Sequence, residues 1–377
     1  MVHWDTGKGH IYSPKHDATY QPNFDPKGVI DMDSRGTYTY TEITSQPVAW
    51  AEALREVKSH SPQLRRFTPS SYSQLLFTGC GSTYYLSLAA AALAQAFTGV
   101  ICRALPASEL LLYPDSAYPG NGTQTLLVAV SRSGTTTETL RAVERFKQER
   151  RGSVVVVCNY PDSPLAAMGD VAILIPAGRE ESVAQTRSFA SMYVACVAMA
   201  TVWGEKNAAL DSLDQLPAVG ERLLRDNEVL AKQWGENTAL NQIFFLGSGP
   251  RYGLACEAAL KMKEMSLTVV EPFHFLEFRH GPMSMVTSQT LIVGLLSDAA
   301  RAHEEAVLKQ MAGMGAHTLS LAESHADVSF DSGVPEPMRG VLYLPVLQLM
   351  AYYRALSKGL DPDRPHNLSK VIELDGV

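Results

Sequence analysis

The stretch Phe77-Thr78-Gly79-Cys80-Gly81-Ser82 has an echo about 168 residues further on, in Phe245-Leu246-Gly247-Ser248-Gly249-Pro250. Each copy closes an apolar run, Leu75-Leu76-Phe77-Thr78 in one and Ile243-Phe244-Phe245-Leu246 in the other. Each then opens a segment of helical period. A buried strand, a glycine turn and a helix, met twice at long spacing, restrict the chain to two α/β units in tandem. The 377 residues are too many for one core and ample for two.

Further apolar runs at 100–104, 125–130, 154–158 and 171–175 alternate with helical patterns at 84–97, 137–151 and 188–203. The second half repeats the alternation with strands at 269–270, 290–295 and 318–321 and helices at 252–265 and 342–356. Such alternation predicts parallel sheets covered by helices on both faces. The boundaries read as an extended arm over 1–40, a first domain over 41–210, a second over 211–360 led by a joining helix, and a polar, irregular tail over 361–377. A helix over Thr41 to Val57 is expected to be interrupted by Pro47.

The run Ser131-Arg132-Ser133-Gly134-Thr135-Thr136-Thr137 follows the apolar strand 125–130 and opens a helix. Its hydroxyls and its turn glycine, set at a helix N-terminus, suit an anion, and a phosphate monoester in particular. The same composition also suits a plain Ser/Thr-rich N-cap with no ligand. The corresponding stretch of the second half, Leu296-Ser297-Asp298-Ala299-Ala300-Arg301, lacks the paired hydroxyls and carries an aspartate that would repel phosphate. A phosphate site is therefore expected in the first half only.

Net charge is −7 and no basic stripe is present, which argues against a nucleic-acid partner. The five cysteines are scattered, form no ligand cluster and read as reduced thiols of a cytoplasmic protein, with no metal or cofactor implied. No apolar run is long enough to span a membrane, and Met1-Val2-His3-Trp4-Asp5 does not begin a signal peptide.

The second half and the tail contribute different parts. Lys261 and Glu264 lie i, i+3 and share a helix face, either as a surface ion pair or as part of a site. His280, between Arg279 and Gly281-Pro282, is a structural histidine or a proton shuttle. Lys370 reads alone as a solvated lysine. Together a phosphate cradle, a carboxylate base, a histidine and a tail lysine match aldose–ketose chemistry on a sugar phosphate.

In order along the chain, Gly79-Cys80-Gly81-Ser82-Thr83, Ser131-Arg132-Ser133-Gly134-Thr135-Thr136, Glu257-Ala258-Ala259-Leu260-Lys261-Met262-Lys263-Glu264, Glu277-Phe278-Arg279-His280-Gly281-Pro282 and Asn367-Leu368-Ser369-Lys370 resemble the sugar isomerase (SIS) family in its tandem form. The likeness covers about 41–370 and is similar to the isomerase half of glucosamine-6-phosphate synthase and to stand-alone amino-sugar-6-phosphate deaminases and isomerases. It implies an α/β fold of two three-layer αβα, flavodoxin-like domains with mostly parallel sheets. It implies that Ser131, Arg132, Ser133 and Thr136 hold the phosphate, that Ser82 and Thr83 line the same pocket, and that Val183 and Gln185 contact the sugar. Glu264 would shuttle the C1–C2 proton with Lys261 beside it. His280 would assist ring opening from the neighbouring subunit of a homodimer that shares its active sites, and Lys370 would meet the open-chain sugar. Arg132 stands where the synthase commonly has glutamine, and Gln185 where it has serine. With no glutaminase segment ahead of this half, the expectation is ammonia release from glucosamine- or galactosamine-6-phosphate. The alternatives are isomerisation without deamination and a non-catalytic sugar-phosphate sensor.

Overall fold

The computed structural model describes residues 35–118, 120 and 124–369. Most of the expected arm and Lys370, with the rest of the tail, lie outside the described residues.

In chain order the first half comprises α1 (Thr37–Leu64), β1 (Gln74–Gly79), α2 (Ser82–Thr98), β2 (Cys102–Pro106), α3 (Ala107–Leu112), α4 (Pro114–Ala117), β3 (Thr125–Ser131), α5 (Thr137–Gln148), β4 (Gly152–Cys158), β5 (Val171–Leu174) and α6 (Arg187–Trp203). Two helices, α7 (Asn207–Ser212) and α8 (Leu216–Glu236), lead into the second half. There follow β6 (Gln242–Gly247), α9 (Arg251–Ser266), β7 (Val269–Phe273), β8 (Thr290–Leu295), α10 (Arg301–Gly313), β9 (His317–Ala322), β10 (Val328–Ser329) and α11 (Leu344–Ser357).

The first sheet runs β2-β1-β3-β4-β5 and the second β7-β6-β8-β9-β10, with every neighbouring pair parallel. Both orders are 2-1-3-4-5 in local numbering, so the repeat seen in one short stretch is a duplication of the whole doubly wound topology. In such sheets ligands bind at the carboxyl ends of the strands where the order reverses. For the first half that is the gap between the loops after β1 and β3.

The strands are apolar on both faces. Leu75 and Phe77 enter a large cluster shared with α2, α6, α9 and α11, while Leu76 packs with Leu127, Val143 and Phe146 on the other side. In the second half Ile243 and Phe245 join the shared cluster, and Phe244, Leu246 and Ile292 form the outer one. The two sheets are thus joined through one central core.

Helix α1 differs from expectation, for it starts at Thr37 and passes through Pro47 unbroken. A proline there deprives the Ile43 carbonyl of its usual donor. The Gln46 amide supplies it instead, with Nε2 donating to Ile43 O at 2.8 Å, and the helix continues to Leu64. Its N-terminus carries no capping side chain of its own, the N-cap being Gly36. Asp363 accepts from Thr39 N at 2.7 Å, Thr39 Oγ1 at 2.7 Å and Tyr38 N at 3.1 Å, and Asp361 accepts from Gly36 N at 3.1 Å. The polar tail is buried at Asp363, because its carboxylate is satisfied by helix donors.

Candidate active site

A cleft opens at the switch point of the first sheet, lined by Cys80, Gly81, Ser82, Arg132, Thr136, Glu138, Val183, Gln185, Lys261, Glu264, Leu368 and Ser369. It draws on both halves and on the C-terminal segment.

The loop after β3 is fixed by its own hydroxyls. Ser131 Oγ accepts from Gly134 N at 3.0 Å, and Ser133 Oγ accepts from Thr135 N at 3.2 Å and Thr135 Oγ1 at 2.9 Å. Gly134 has φ +65°, and a Cβ there would stand 2.1 Å from Ser163 Oγ, so only glycine fits. Thr136 is the N-cap residue of α5 but makes no capping hydrogen bond, and it lines the cleft. A plain N-cap is therefore not what this threonine provides. Ser131 is buried behind the loop, and Thr83 turns its hydroxyl back on Cys80, accepting from Cys80 N at 2.9 Å and donating to Cys80 O at 3.0 Å. Both shape the turns, and neither is among the cleft-lining residues.

Helix α9 delivers the charged groups. Gly253 lets α9 approach α2 so closely that a Cβ would sit 2.5 Å from Tyr85 O. This brings Lys261 to the start of α2, where its Nζ donates to Ser82 Oγ at 3.1 Å and pairs with the Glu264 carboxylate. Lys261 is 1% exposed, which rules out the surface ion pair. On its other side Glu257 Oε1 is 3.4 Å away. Glu257 is fully buried and neither of its oxygens has a hydrogen-bond partner of good geometry. Burial pushes its carboxyl up to about 8, against the pull of Lys261, with Glu264 adding to the rise. Burial opposes the charge on Lys261, but Glu257 and Glu264 outweigh it and hold the ammonium above its usual range. The Lys261 ammonium thus stands between two carboxyls, the inner one, Glu257, pushed towards its protonated form by burial and the outer one, Glu264, at the cleft.

The third wall is the loop at 180–185. The Glu42 carboxylate of α1 accepts from Glu181 N at 2.5 Å, Ser182 N at 3.3 Å and the Ser182 hydroxyl. Burial, then the nearby Glu180, hold its carboxyl above the usual range. From the opposite side Arg132 Nη1 donates to Val183 O at 2.8 Å and Ser182 O at 3.4 Å. Val183 N donates to Asp363 O at 3.1 Å, tying the loop to the C-terminal segment.

The structure brings Ser82, Arg132, Thr136, Val183, Gln185, Lys261 and Glu264 to one cleft, with Ser133 in the loop beside it. His280 is exposed between two 3-10 turns, Glu277–Arg279 and Pro282–Met285, and does not line the cleft of its own chain. Cys80, Glu138 and Glu257 were not anticipated. Of these only Glu257 had a sequence signal, because Glu257, Lys261 and Glu264 at i, i+4 and i+7 share one helix face.

In the second half the equivalent cradle is filled from within. Ser297 N and Oγ donate to Glu304 at 2.5 and 2.9 Å, and Ala299 N donates to Glu336 at 3.2 Å. Arg251 also pairs with Glu336, at 2.8 Å. Asp298, expected to be the repelling group, is half exposed and bound to Arg339. Glu304 and Glu336 are the carboxylates that occupy the N–H groups.

Residues 70–202 and 239–353 match the family model described as SIS domain. The chain is 26% identical over 372 residues to the glutamine–fructose-6-phosphate aminotransferase (isomerizing) of Shewanella oneidensis, covering 92% of this chain and 60% of the relative. It is 28% identical to the enzyme of the same name from Bordetella pertussis, again over 92% and 60% of the two chains. The chain thus spans about 60% of the length of these curated relatives. Among solved structures it is similar to a glucosamine-6-phosphate deaminase from Thermotoga maritima, with a TM-score of 0.72, 26% identity and coverage of 89% of this chain and 100% of that one. A tagatose-6-phosphate ketose/aldose isomerase, so assigned provisionally, from Clostridium novyi shares the fold at a TM-score of 0.82 and 24% identity, over 91% and 95% of the two chains. Among the described residues no helix is long and apolar enough to cross a membrane.

Proposed function

The chain belongs to the SIS domain family, and from that premise we propose that it is an amino-sugar-6-phosphate deaminase/isomerase. The observation that carries this reading is the meeting of buried Lys261 and its partner Glu264, from one half, with Ser82, Arg132 and Thr136 of the other on a single cleft. The likeness to a glucosamine-6-phosphate deaminase over all of that chain supports deamination over synthesis.

In this reading the substrate phosphate rests on the backbone N–H groups at the start of α5 and on the hydroxyls of Ser133 and Thr136, with Ser131 holding the turn. The carbon chain then extends towards α9. Glu264 removes the C2 proton of the open-chain 2-amino aldose and returns it to C1, moving the double bond from C1–O to C2–N. Water adds at C2 and ammonia leaves, so that amino-aldose phosphate and water become ketose phosphate and ammonia. Lys261 holds the Glu264 carboxylate in place and, through Ser82, aligns it with the start of α2. His280, exposed and away from its own cleft, would serve ring opening in a partner subunit's site. Lys370 follows Ser369, which lines the cleft, and would meet the open-chain carbonyl.

The test is a panel of hexosamine and hexose 6-phosphates assayed for ammonia and ketose together. Ammonia with stoichiometric ketose from glucosamine- or galactosamine-6-phosphate, lost by about 10²-fold or more in Glu264→Gln, is the expected result. Proton exchange at C2 with no ammonia would make the chain a plain aldose–ketose isomerase. Binding without turnover would make it a sensor.

A further inference from the structure

The guanidinium of Arg132 sits in the phosphate-loop motif yet points away from a phosphate role. It is 7% exposed, bonds the Val183 and Ser182 carbonyls, and stands 3.7 Å from the fully buried Glu180 carboxylate. Glu180 in turn accepts from Thr186 N at 2.7 Å, Thr186 Oγ1 at 2.9 Å, Ser188 N at 3.1 Å and the Ser188 hydroxyl, at the entry to α6. Glu42 holds the N–H side of the same loop, at Glu181 and Ser182. The loop is thus gripped from two sides, by a carboxylate on its donors and by a guanidinium on its acceptors. Val183, held by Arg132, and Gln185, between that hold and the one Glu180 has on Thr186, are the loop's two contributions to the cleft.

We propose that Arg132 is a positioning residue that sets sugar selectivity, by holding the 182–185 loop so that Val183 and Gln185 meet the sugar at a fixed place, and that it does not bind the phosphate. The planar fork of arginine spans two carbonyls while its charge balances Glu180. A glutamine side chain at this position would bring one amide donor group and no charge. The two departures from the synthase pattern, Arg132 and Gln185, therefore lie on one chain of contacts. A pocket that recognises a sugar hydroxyl through one or two placed polar groups discriminates epimers only while those groups stay in place.

This inference rests on the sugar-phosphate reading of the cleft, and its test separates the two. Arg132→Gln, Arg132→Lys and Glu180→Gln are compared with the unaltered protein in two measurements. One is the dissociation constant of inorganic phosphate by calorimetry. The other is the ratio of kcat/KM for glucosamine- and galactosamine-6-phosphate, replaced by the ratio of their dissociation constants if neither turns over. Phosphate affinity is expected to stay within about threefold in all variants, while the epimer ratio moves by about tenfold in Arg132→Gln. The ratio should move in the same direction in Glu180→Gln and be partly restored in Arg132→Lys. A loss of phosphate affinity of about tenfold or more in Arg132→Gln with an unchanged epimer ratio would make Arg132 a phosphate ligand and overturn the proposal. Absence of phosphate binding by the unaltered protein would instead sink the functional reading. If Arg132→Gln does not fold, Arg132→Lys and Glu180→Gln decide, since an unchanged epimer ratio in both refutes the clamp.

Discussion

Glu257→Gln should remove a pH-dependent loss of stability from the protein. The Glu257 carboxyl is fully buried, lacks a well-formed hydrogen bond and holds its proton up to about 8 in the folded state, against an ordinary value of 4.5. Between those two values the native state binds more protons than the unfolded chain, so stability falls as pH rises through that window. The slope is about 1.4 kcal/mol per pH unit, which amounts to about 3 kcal/mol by pH 7. Glutamine has the same shape and no proton to lose. Stability measured by urea unfolding from pH 4.5 to 9 should therefore show a variant-minus-native difference that grows in favour of the variant and levels off above pH 8. Other titrating groups are common to both proteins and cancel in the difference. A difference that is flat across the range would mean that Glu257 titrates alike in both states. A difference that turns against the variant as pH rises would mean an ionised Glu257 paired with Lys261, and the charge assignment at the cleft would have to be redrawn.

Gly134→Ala should destabilise the loop after β3 by about 1–3 kcal/mol, because φ there is +65° and the new Cβ would collide with Ser163; calorimetry should show phosphate affinity falling with it. Glu336→Ala should free Ala299 N, just ahead of α10, together with Arg251, so that calorimetry finds a second inorganic phosphate bound per chain where the native protein takes one. Titration curves that coincide for both proteins would show that Glu336 plugs nothing. Glu264→Gln and His280→Ala should each lack turnover, and mixing the two under subunit exchange should restore activity if His280 serves a partner's cleft. No recovery in verified mixed dimers would place His280 outside the chemistry.

The local parts of this protein were legible from its residues. The strand, hydroxyl loop and helix around Ser131 to Thr137 are contiguous in the chain, as are the i, i+3 relation of Lys261 to Glu264 and the glycine turns that mark the duplication. Interactions of that range depend on propensity, periodicity and turn chemistry, all of which are written in short stretches. Helix α1 was misread at Pro47 because the rescue by Gln46 depends on a side-chain rotamer, and its cap was missed because Asp361 and Asp363 arrive from the other end of the chain.

Only the tertiary structure decided what each charge does. Lys261 reads first as half of a surface ion pair until α9 is pressed against α2, and burial then leaves its ammonium between Glu257 and Glu264 and raises the Glu257 carboxyl. Arg132 belongs by motif to a phosphate loop, yet it is drawn to carbonyls supplied by a segment some fifty residues away. The second cradle keeps the topology of the first, but Glu304 and Glu336 take up its N–H groups. Sequence determines which groups are available and in what local order. Desolvation and the long-range meeting of donors with acceptors determine which of them face a ligand, and both exist only once the chain has closed on itself.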